Sequence, residues 1–197
     1  MNIIVMGAGA IGSFFGGLLS KHNNVIFIGR TEHVKAINEK GLKITGKTNA
    51  LCKVKAVEKV KHVTEVPDLI LFTVKSYDTK QAVLDAKPLF HKDVILLSFQ
   101  NGLTNYEIMK KLVSNNQIVL GITSHGVQFS KPGEIIHQGV GSTIIGDPLH
   151  NKTNKIDVIT SLFEESEIPI KISKDILSEI WKKAIVNAAI NPLTAIF

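Results

Sequence analysis

Apolar residues follow two kinds of pattern over the first 123 residues, and together they predict alternating strands and helices. Short continuous apolar runs are typical of strands buried on both faces of a parallel sheet, and they lie at 3–5, 25–28, 68–74, 93–99 and 118–123. Amphipathic stretches between them predict helices at 13–19, 31–39, 78–87 and 105–112. This alternation favours an α/β fold with a doubly wound, mostly parallel sheet.

The pattern changes after residue 123. Alternating segments separated by glycines over 126–146 predict antiparallel strands that extend the sheet, and 42–45 and 51–57 are also predicted to be extended. A helix at 154–166 and an edge strand at 169–172 follow, and another helix is predicted to begin at 173 or 174. We therefore predict one domain over 1–172 and the start of a second over 173–197.

A glycine motif joins the first predicted strand to the first predicted helix, with the residues Gly7, Ala8, Gly9, Ala10, Ile11 and Gly12. In this context the first glycine permits a tight turn, the second lets the backbone approach a pyrophosphate, and the third lets helix and strand pack closely. The free N–H groups at the helix start would then face the anion. The motif predicts a Rossmann-type dinucleotide site; the alternative is that the glycines serve only a tight turn.

The end of the second predicted strand indicates which dinucleotide is bound. An acidic residue there would accept hydrogen bonds from the ribose 2′-hydroxyl, but the chain has Ile28, Gly29 and Arg30 instead. Arg30 is the only arginine, and its planar guanidinium suits a phosphate. We therefore predict NADP(H) rather than NAD(H), with an arginine on the surface by chance as the alternative.

Two more polar residues follow apolar strands, Lys75 and Asn101. Ligands of open α/β sheets lie outside the carboxyl ends of the strands, so we expect both residues to face the nicotinamide region. Either could instead complete a loop, since asparagine before glycine is common in turns. His125 is a weaker candidate, for which we favour a structural role.

A polar face is predicted on the last helix, where Lys183, Asn187 and Asn191 are spaced four residues apart among apolar residues. Buried amine and amide groups need partners, and one cationic donor with two carboxamides suits a small keto acid. The alternative is an ordinary surface helix. Lys182 belongs to another row of the same helix, together with apolar residues, and we expect it at the edge of the core face.

Composition narrows the class of protein without naming a function. The chain is 44% hydrophobic and 20% charged, and no apolar run approaches the length of a membrane span. Its net charge of +6 comes from lysines spread along the chain, unlike the clustered cations of nucleic-acid-binding proteins. The N-terminus does not have the pattern of a signal peptide, and Cys52 is a lone cysteine, so we predict a cytoplasmic protein that binds neither nucleic acid nor membrane.

Taken together, the chain resembles the ketopantoate reductase family. The motifs that carry the resemblance are Gly7–Gly12, Phe72-Thr-Val-Lys75, Gln100-Asn-Gly102, Gly121-Ile-Thr-Ser-His125 and, with the greatest specificity, Trp181-Lys-Lys-Ala-Ile-Val-Asn-Ala-Ala-Ile-Asn-Pro-Leu-Thr-Ala195. The resemblance implies an N-terminal Rossmann domain that binds NADPH and an all-α C-terminal domain that closes the cleft. It also implies reduction of 2-dehydropantoate to pantoate for pantothenate and coenzyme A synthesis.

The resemblance further implies a role for each candidate residue. Lys183 would be the general acid; Asn187, Asn191 and Asn101 would contact the substrate; Arg30, Lys75 and Asn101 would contact the cofactor. Burial, or the nearby cation Lys75, would lower the pKa of Lys183 toward neutrality.

The family's helical domain continues well past residue 197, so we expect a truncated chain whose activity alone is open. We expect the apolar helix surface that contains Ile180, Ile185 and Ile190 to be buried, either by further chain or by a partner such as a second copy. Two alternative functions stay open: another Rossmann 2-keto or β-hydroxy acid dehydrogenase, and a noncatalytic NADPH-binding module.

Overall fold

The computed structural model describes residues 1–114, 117–150 and 154–196, with side chains described as far as residue 190. Its twelve strands are β1 (Asn2–Met6), β2 (Asn24–Ile28), β3 (Leu42–Gly46), β4 (Ala50–Cys52), β5 (Lys55–Val57), β6 (Leu69–Phe72), β7 (Ile95–Ser98), β8 (Ile118–Thr123), β9 (Gly126–Lys131), β10 (Glu134–Gly139), β11 (Thr143–Gly146) and β12 (Lys171–Ile172). The α-helices are α1 (Ala10–Leu19), α2 (Thr31–Lys40), α3 (Thr79–Ala86), α4 (Asn105–Met109), α5 (Asn154–Glu165) and α6 (Ile176–Ile196).

The main sheet confirms the predicted doubly wound α/β fold. Its eight strands have the order β12-β11-β8-β7-β6-β1-β2-β5. The six strands from β8 to β5 are parallel to their neighbours, and β11 pairs antiparallel with β8. The chain leaves β1 toward β2 on one side and later returns to β6 on the other. The carboxyl ends of β1 and β6 therefore flank the crevice in which such sheets bind ligands.

A second sheet holds most of the strands that we expected to extend the first. Its order is β4-β3-β10-β9, and β10 pairs in parallel with β3 across a long stretch of chain. The predicted segment 51–57 is therefore not one strand, because β4 belongs to this second sheet and β5 lies at the edge of the main sheet. Of the described strands within 126–146, β11 alone joins the main sheet, where it pairs antiparallel with β8.

Helix α1 lies between the two sheets and joins their cores. Phe14 and Phe15 are almost fully buried and pack in one cluster with Val5 of β1, Ile44 of β3 and Ile135 of β10. Burying side chains of this size contributes about 1.5–3 kcal/mol each. The glycine turn that precedes α1 is thus built on a fixed helix.

Helix α6 begins at Ile176, close to the predicted start, and Ile176 is fully buried against the main sheet. The helix packs on β8 and β11. Among the described residues, no helix combines the length and apolarity that a membrane crossing requires. The division into domains at residue 173 stays a prediction.

Candidate active site

The glycine turn between β1 and α1 is fixed by contacts on both sides. Gly7 has a φ angle of +107°, which side chains rarely adopt. The N–H groups of Gly7 and Ala8 donate to the Ile28 carbonyl at 3.1 and 3.0 Å. The Thr73 hydroxyl donates to the Gly7 carbonyl at 2.7 Å, and a β-carbon at Gly12 would overlap both of these groups. Glycine is therefore required at both ends of the motif.

The start of α1 has free donors and open space. In the described part of the chain, the N–H groups of Ala10, Ile11 and Gly12 donate to no protein acceptor. A β-carbon at Gly9 would have no atom within 4 Å. Unpaired N–H groups at a helix N-terminus attract anions. The turn therefore has the donors and the room that a pyrophosphate needs.

Arg30 lies at the edge of this turn, directly before α2. The strand that leads to it is tied to the turn, because Ile28 accepts the two hydrogen bonds described above and a β-carbon at Gly29 would lie 2.9 Å from that of Ala8. The Arg30 side chain is exposed and forms no hydrogen bond or ion pair with any described residue. Its guanidinium is available to a phosphate beside the turn.

The two polar residues that we predicted at the site, Lys75 after β6 and Asn101 after β7, lie in different environments. Asn101, after β7, accepts a hydrogen bond on Oδ1 from Lys183 Nζ at 2.8 Å. Lys75, after β6, is exposed, and its ammonium bonds to no described residue. The structure thus brings Asn101 and Lys183 together and leaves the Lys75 side chain in solvent.

Lys183 lies half-buried on α6 and bridges the loop after β7 and the end of β8. Besides Asn101, its ammonium donates to the Thr123 carbonyl at the end of β8, at 2.8 Å. An ammonium group has three donors, so one remains for a ligand. Burial lowers the pKa of the Lys183 ammonium below its ordinary value, because desolvation disfavours the charged form. Burial therefore acts as predicted, and no contribution from Lys75 is found.

A cleft of about 590 Å³ lies beside this ammonium. It is lined by Ile11, Phe99, Asn101, Ile122, Thr123, Ser124, His125, Ser142, Lys183, Val186 and Asn187. The glycine turn and the polar face of α6 therefore border the same space, since Ile11 belongs to the first turn of α1. Asn187 is in the cleft as predicted, whereas Asn191 lies outside the described side chains.

The expectation for Lys182 is wrong. Its side chain is 69% exposed and forms an ion pair with Glu179 at 2.8 Å, and Val186 and Ile190 in the same row are also more than half exposed. In the described part of the chain, the apolar row that we assigned to the core is therefore half-exposed, and Val186 lines the Lys183 cleft instead.

His125 lines the cleft but takes part in a histidine pair that joins the two sheets. Its Nδ1 accepts from the Gly141 N–H at 3.2 Å and lies 3.1 Å from Nε2 of His137. Because Nδ1 is an acceptor, the neutral ring carries its proton on Nε2. Burial, and then the neighbouring His137, lower the pKa of His125. These contacts favour the structural role.

Two contributors were missed from the sequence. Thr73 fixes the glycine turn through its hydroxyl, and Thr123 positions Lys183 through its carbonyl. Thr73 has a usable signal, because it is a polar residue at the end of an apolar strand. A backbone carbonyl gives no signal in residue type, so Thr123 could not be found in that way.

Comparison with known proteins identifies the family. The family model described as "Ketopantoate reductase PanE/ApbA" matches residues 3–149. The chain belongs to this family. A 2-dehydropantoate 2-reductase of Pyrococcus abyssi is 43% identical over 194 residues, which are 98% of this chain and 63% of that relative. The chain thus spans less than two thirds of the relative's length.

Solved structures agree on the fold. A PanE/ApbA family ketopantoate reductase from Ralstonia eutropha superposes with a TM-score of 0.85 at 30% identity, over 96% of this chain and 62% of that one. A D-mandelate dehydrogenase in ternary complex with NADH and anilino(oxo)acetate gives 0.88 at 29% identity, over 98% and 63%. That dehydrogenase is thus a structural neighbour that binds a nicotinamide cofactor.

Proposed function

We propose that this chain is the cofactor-binding part, and the start of the substrate-binding part, of an NADPH-dependent 2-dehydropantoate 2-reductase. Such an enzyme reduces the keto acid to pantoate for pantothenate and coenzyme A synthesis. The observation that carries the proposal is the Lys183 ammonium, which Asn101 and Thr123 hold at the cleft bordered by the glycine turn.

The residues that would hold the cofactor fit a phosphorylated dinucleotide. The N–H groups at the start of α1 would bind the pyrophosphate, and the Arg30 guanidinium would pair with the 2′-phosphate. Asn101 and Lys75 would lie toward the nicotinamide end. When bound, NADPH supplies the hydride for the keto carbon.

The remaining steps fall to side chains of α6. Negative charge grows on the keto oxygen during reduction, and the free N–H of Lys183 would stabilise it and then transfer the proton. Because burial lowers the pKa of this ammonium, it releases the proton more easily than a lysine in solvent. Asn187 and Asn191 would orient the substrate's carboxylate and hydroxyl, which is positioning rather than proton transfer.

The cofactor preference is tested by titrating the chain and two Arg30 variants with NADPH and NADH. We expect Arg30→Ala to weaken NADPH binding about 10- to 100-fold, the cost of losing charge-assisted hydrogen bonds, with NADH binding unchanged. Arg30→Lys should keep part of the preference, since it keeps the charge and loses the bidentate geometry. Equal losses for both cofactors would contradict a 2′-phosphate contact.

The D-mandelate dehydrogenase similarity favours a second candidate, a dehydrogenase for another 2-keto acid. A panel of keto acids that includes 2-dehydropantoate and phenylglyoxylate separates the two, with NADPH consumption as the readout. The proposed function requires 2-dehydropantoate to be preferred. A preference for phenylglyoxylate would establish the second candidate instead.

A further inference from the structure

A buried group of polar side chains lies behind the Asn101 loop, and no role proposed so far uses it. We call it the Thr79 cluster; its members are Thr79, Ser98, Gln100 and Asn105. Thr79 is fully buried, and Ser98 and Asn105 are each 3% exposed. Polar groups buried to this degree need hydrogen-bond partners in the protein, so the cluster has a defined geometry.

Thr79 is the centre of this geometry. Its hydroxyl accepts from Gln100 Nε2 at 2.8 Å and lies 2.8 Å from both the Ser76 carbonyl and Asn105 Oδ1, which share its proton. Gln100 uses its second N–H on the Val74 carbonyl at 3.1 Å. The α3 hydroxyl thereby connects the loop after β6 to the loop after β7.

Asn105 completes the connection to the candidate site. Its Nδ2 donates to the carbonyls of Asn101 and Gly102 at 2.9 and 3.2 Å. These bonds hold the backbone of the residue whose side chain accepts from Lys183 at 2.8 Å. Hydrogen bonds thus connect Thr79 through Asn105 to the backbone of Asn101, and the Asn101 side chain completes the connection to the ammonium.

We propose that Thr79 and Asn105 are positioning residues of the reductase site, which hold Asn101 in the place where it orients the Lys183 ammonium. This inference rests on the proposed function for its significance, although its geometry can be measured without cofactor or substrate. Thr79 and Asn105 do not line the Lys183 cleft and act only through Asn101.

The physical reason is the cost of an unsatisfied buried group. Without the Thr79 hydroxyl, one N–H of Gln100 loses its acceptor and Asn105 Oδ1 loses a donor. Because each such loss is costly in a buried site, the loop would move to recover partners. Asn101 Oδ1 would then leave the ammonium, and the protonated form of Lys183 would lose a stabilising contact.

The test compares Thr79→Val, which keeps the shape and removes the hydroxyl, with Thr79→Ser, which restores it. The pKa of Lys183 is followed by NMR in protein isotope-labelled at lysine Cε, with the signal assigned from Lys183→Arg. We expect Thr79→Val to lower the pKa of Lys183 and to weaken NADPH binding about three- to tenfold, the cost of one hydrogen bond. Thr79→Ser should return both values to those of the parent.

Ser166→Ala controls for the loss of any buried hydroxyl, since Ser166 is 4% exposed and donates to the Leu162 carbonyl at the end of α5. It should leave the pKa of Lys183 unchanged. A folded Thr79→Val protein with the parent's Lys183 pKa would overturn the proposal.

Thr79→Cys replaces the valine variant if that variant does not fold, because a thiol has a similar size and is a weak donor. It should lower the pKa of Lys183 in the same direction. A folded Thr79→Cys protein with the parent's Lys183 pKa would also overturn the proposal. Failure of the proposed function is a separate result, seen when the parent binds no NADPH.

Discussion

The glycine turn and helix α6 border one cleft, but they are supported by different amounts of buried structure. The turn lies between β1 and α1, and both elements are anchored in the core: Ile3 and Val5 of β1 and Phe15 of α1 are fully buried. On α6, Trp181 and Ile185 are 58% and 65% exposed. Within the described chain, the glycine turn is therefore supported by a buried core, whereas the exposed middle of α6 leaves the Lys183 ammonium dependent on its bonds to the loop after β7 and to the end of β8.

Because of this difference, we expect cofactor binding and proton transfer to respond to different substitutions. Under the proposed function, cofactor binding would depend on backbone groups that the core fixes, so it should survive changes on α6. The position of the ammonium depends on Asn101 and Thr123, so it should respond to changes in the loop after β7 or at the end of β8. Variants of the glycine turn and of α6 test this difference.

The largest effect is expected from Lys183→Met, which removes the proposed proton donor and keeps the aliphatic length. Turnover of 2-dehydropantoate should fall about 10²- to 10⁴-fold, the usual contribution of a general acid, while the Kd for NADPH stays within about twofold. Lys182→Met is the matched control, because Lys182 is exposed beside it. Steady-state kinetics and calorimetry give the two values. Equal turnover in both variants would remove Lys183 from the mechanism.

A pair of glycine variants should divide stability from binding at the turn. Gly12→Ala should lower the free energy of unfolding by about 1–3 kcal/mol, since its β-carbon would overlap the Gly7 carbonyl and the Thr73 hydroxyl. Gly9→Ala should keep the parent's stability, because its β-carbon meets no atom within 4 Å. It should still weaken NADPH binding about tenfold, or ~1.4 kcal/mol, by keeping the pyrophosphate from the backbone.

Chemical denaturation and NADPH titration measure the two properties of these glycine variants. A destabilised Gly9→Ala protein, or one that binds NADPH like the parent, would show that the open space at this position is not the cofactor's.

The smallest effect concerns pH and the buried His33 of α2. Its Nδ1 accepts from the Gly133 N–H at 2.9 Å, so its proton is on Nε2, 3.2 Å from the Ser13 hydroxyl. Burial lowers the pKa of His33 below the value of an unfolded chain. The unfolded state then binds more protons, so the contribution of His33 is complete above about pH 6.5 and is lost as the pH falls through the folded pKa.

Denaturant midpoints measured from neutral to weakly acidic pH check this expectation. The midpoint of the parent should fall as the pH drops, and His33→Asn, which keeps an acceptor for Gly133 and does not titrate, should show a shallower fall. A slope identical to the parent's would assign the pH dependence to other groups, of which His125 is the first candidate.

Features with a local signature could be predicted from the sequence. The glycine motif, the apolar strands and the helical spacing of Lys183 and Asn187 each depend on residues near one another in the chain. The rule that parallel strands share an edge at their carboxyl ends predicted a place for Asn101 at the crevice, and only the family resemblance assigned Asn101 and Lys183 to one substrate site.

Features that depend on distant partners could not be predicted. The strand β10 pairs with β3 rather than with the main sheet, and its alternating pattern specifies a buried face without specifying a partner. In the sequence, Thr79 and Asn105 look like ordinary residues at the start of a helix. Their contact could not be predicted, because 26 positions separate them and only the folded chain brings them together. The exposure of the Lys182 row has the same origin, because helical periodicity identifies an apolar row but not its neighbour.

The central claim is that a dinucleotide bound at the glycine turn places its nicotinamide ring in the Lys183 cleft. Nuclear Overhauser effects between NADPH and the protein test this most directly. We expect contacts from the nicotinamide protons to Ile11, Asn101 and the Lys183 side chain. Contacts from the adenine protons to these residues, or none from the nicotinamide ring, would contradict it.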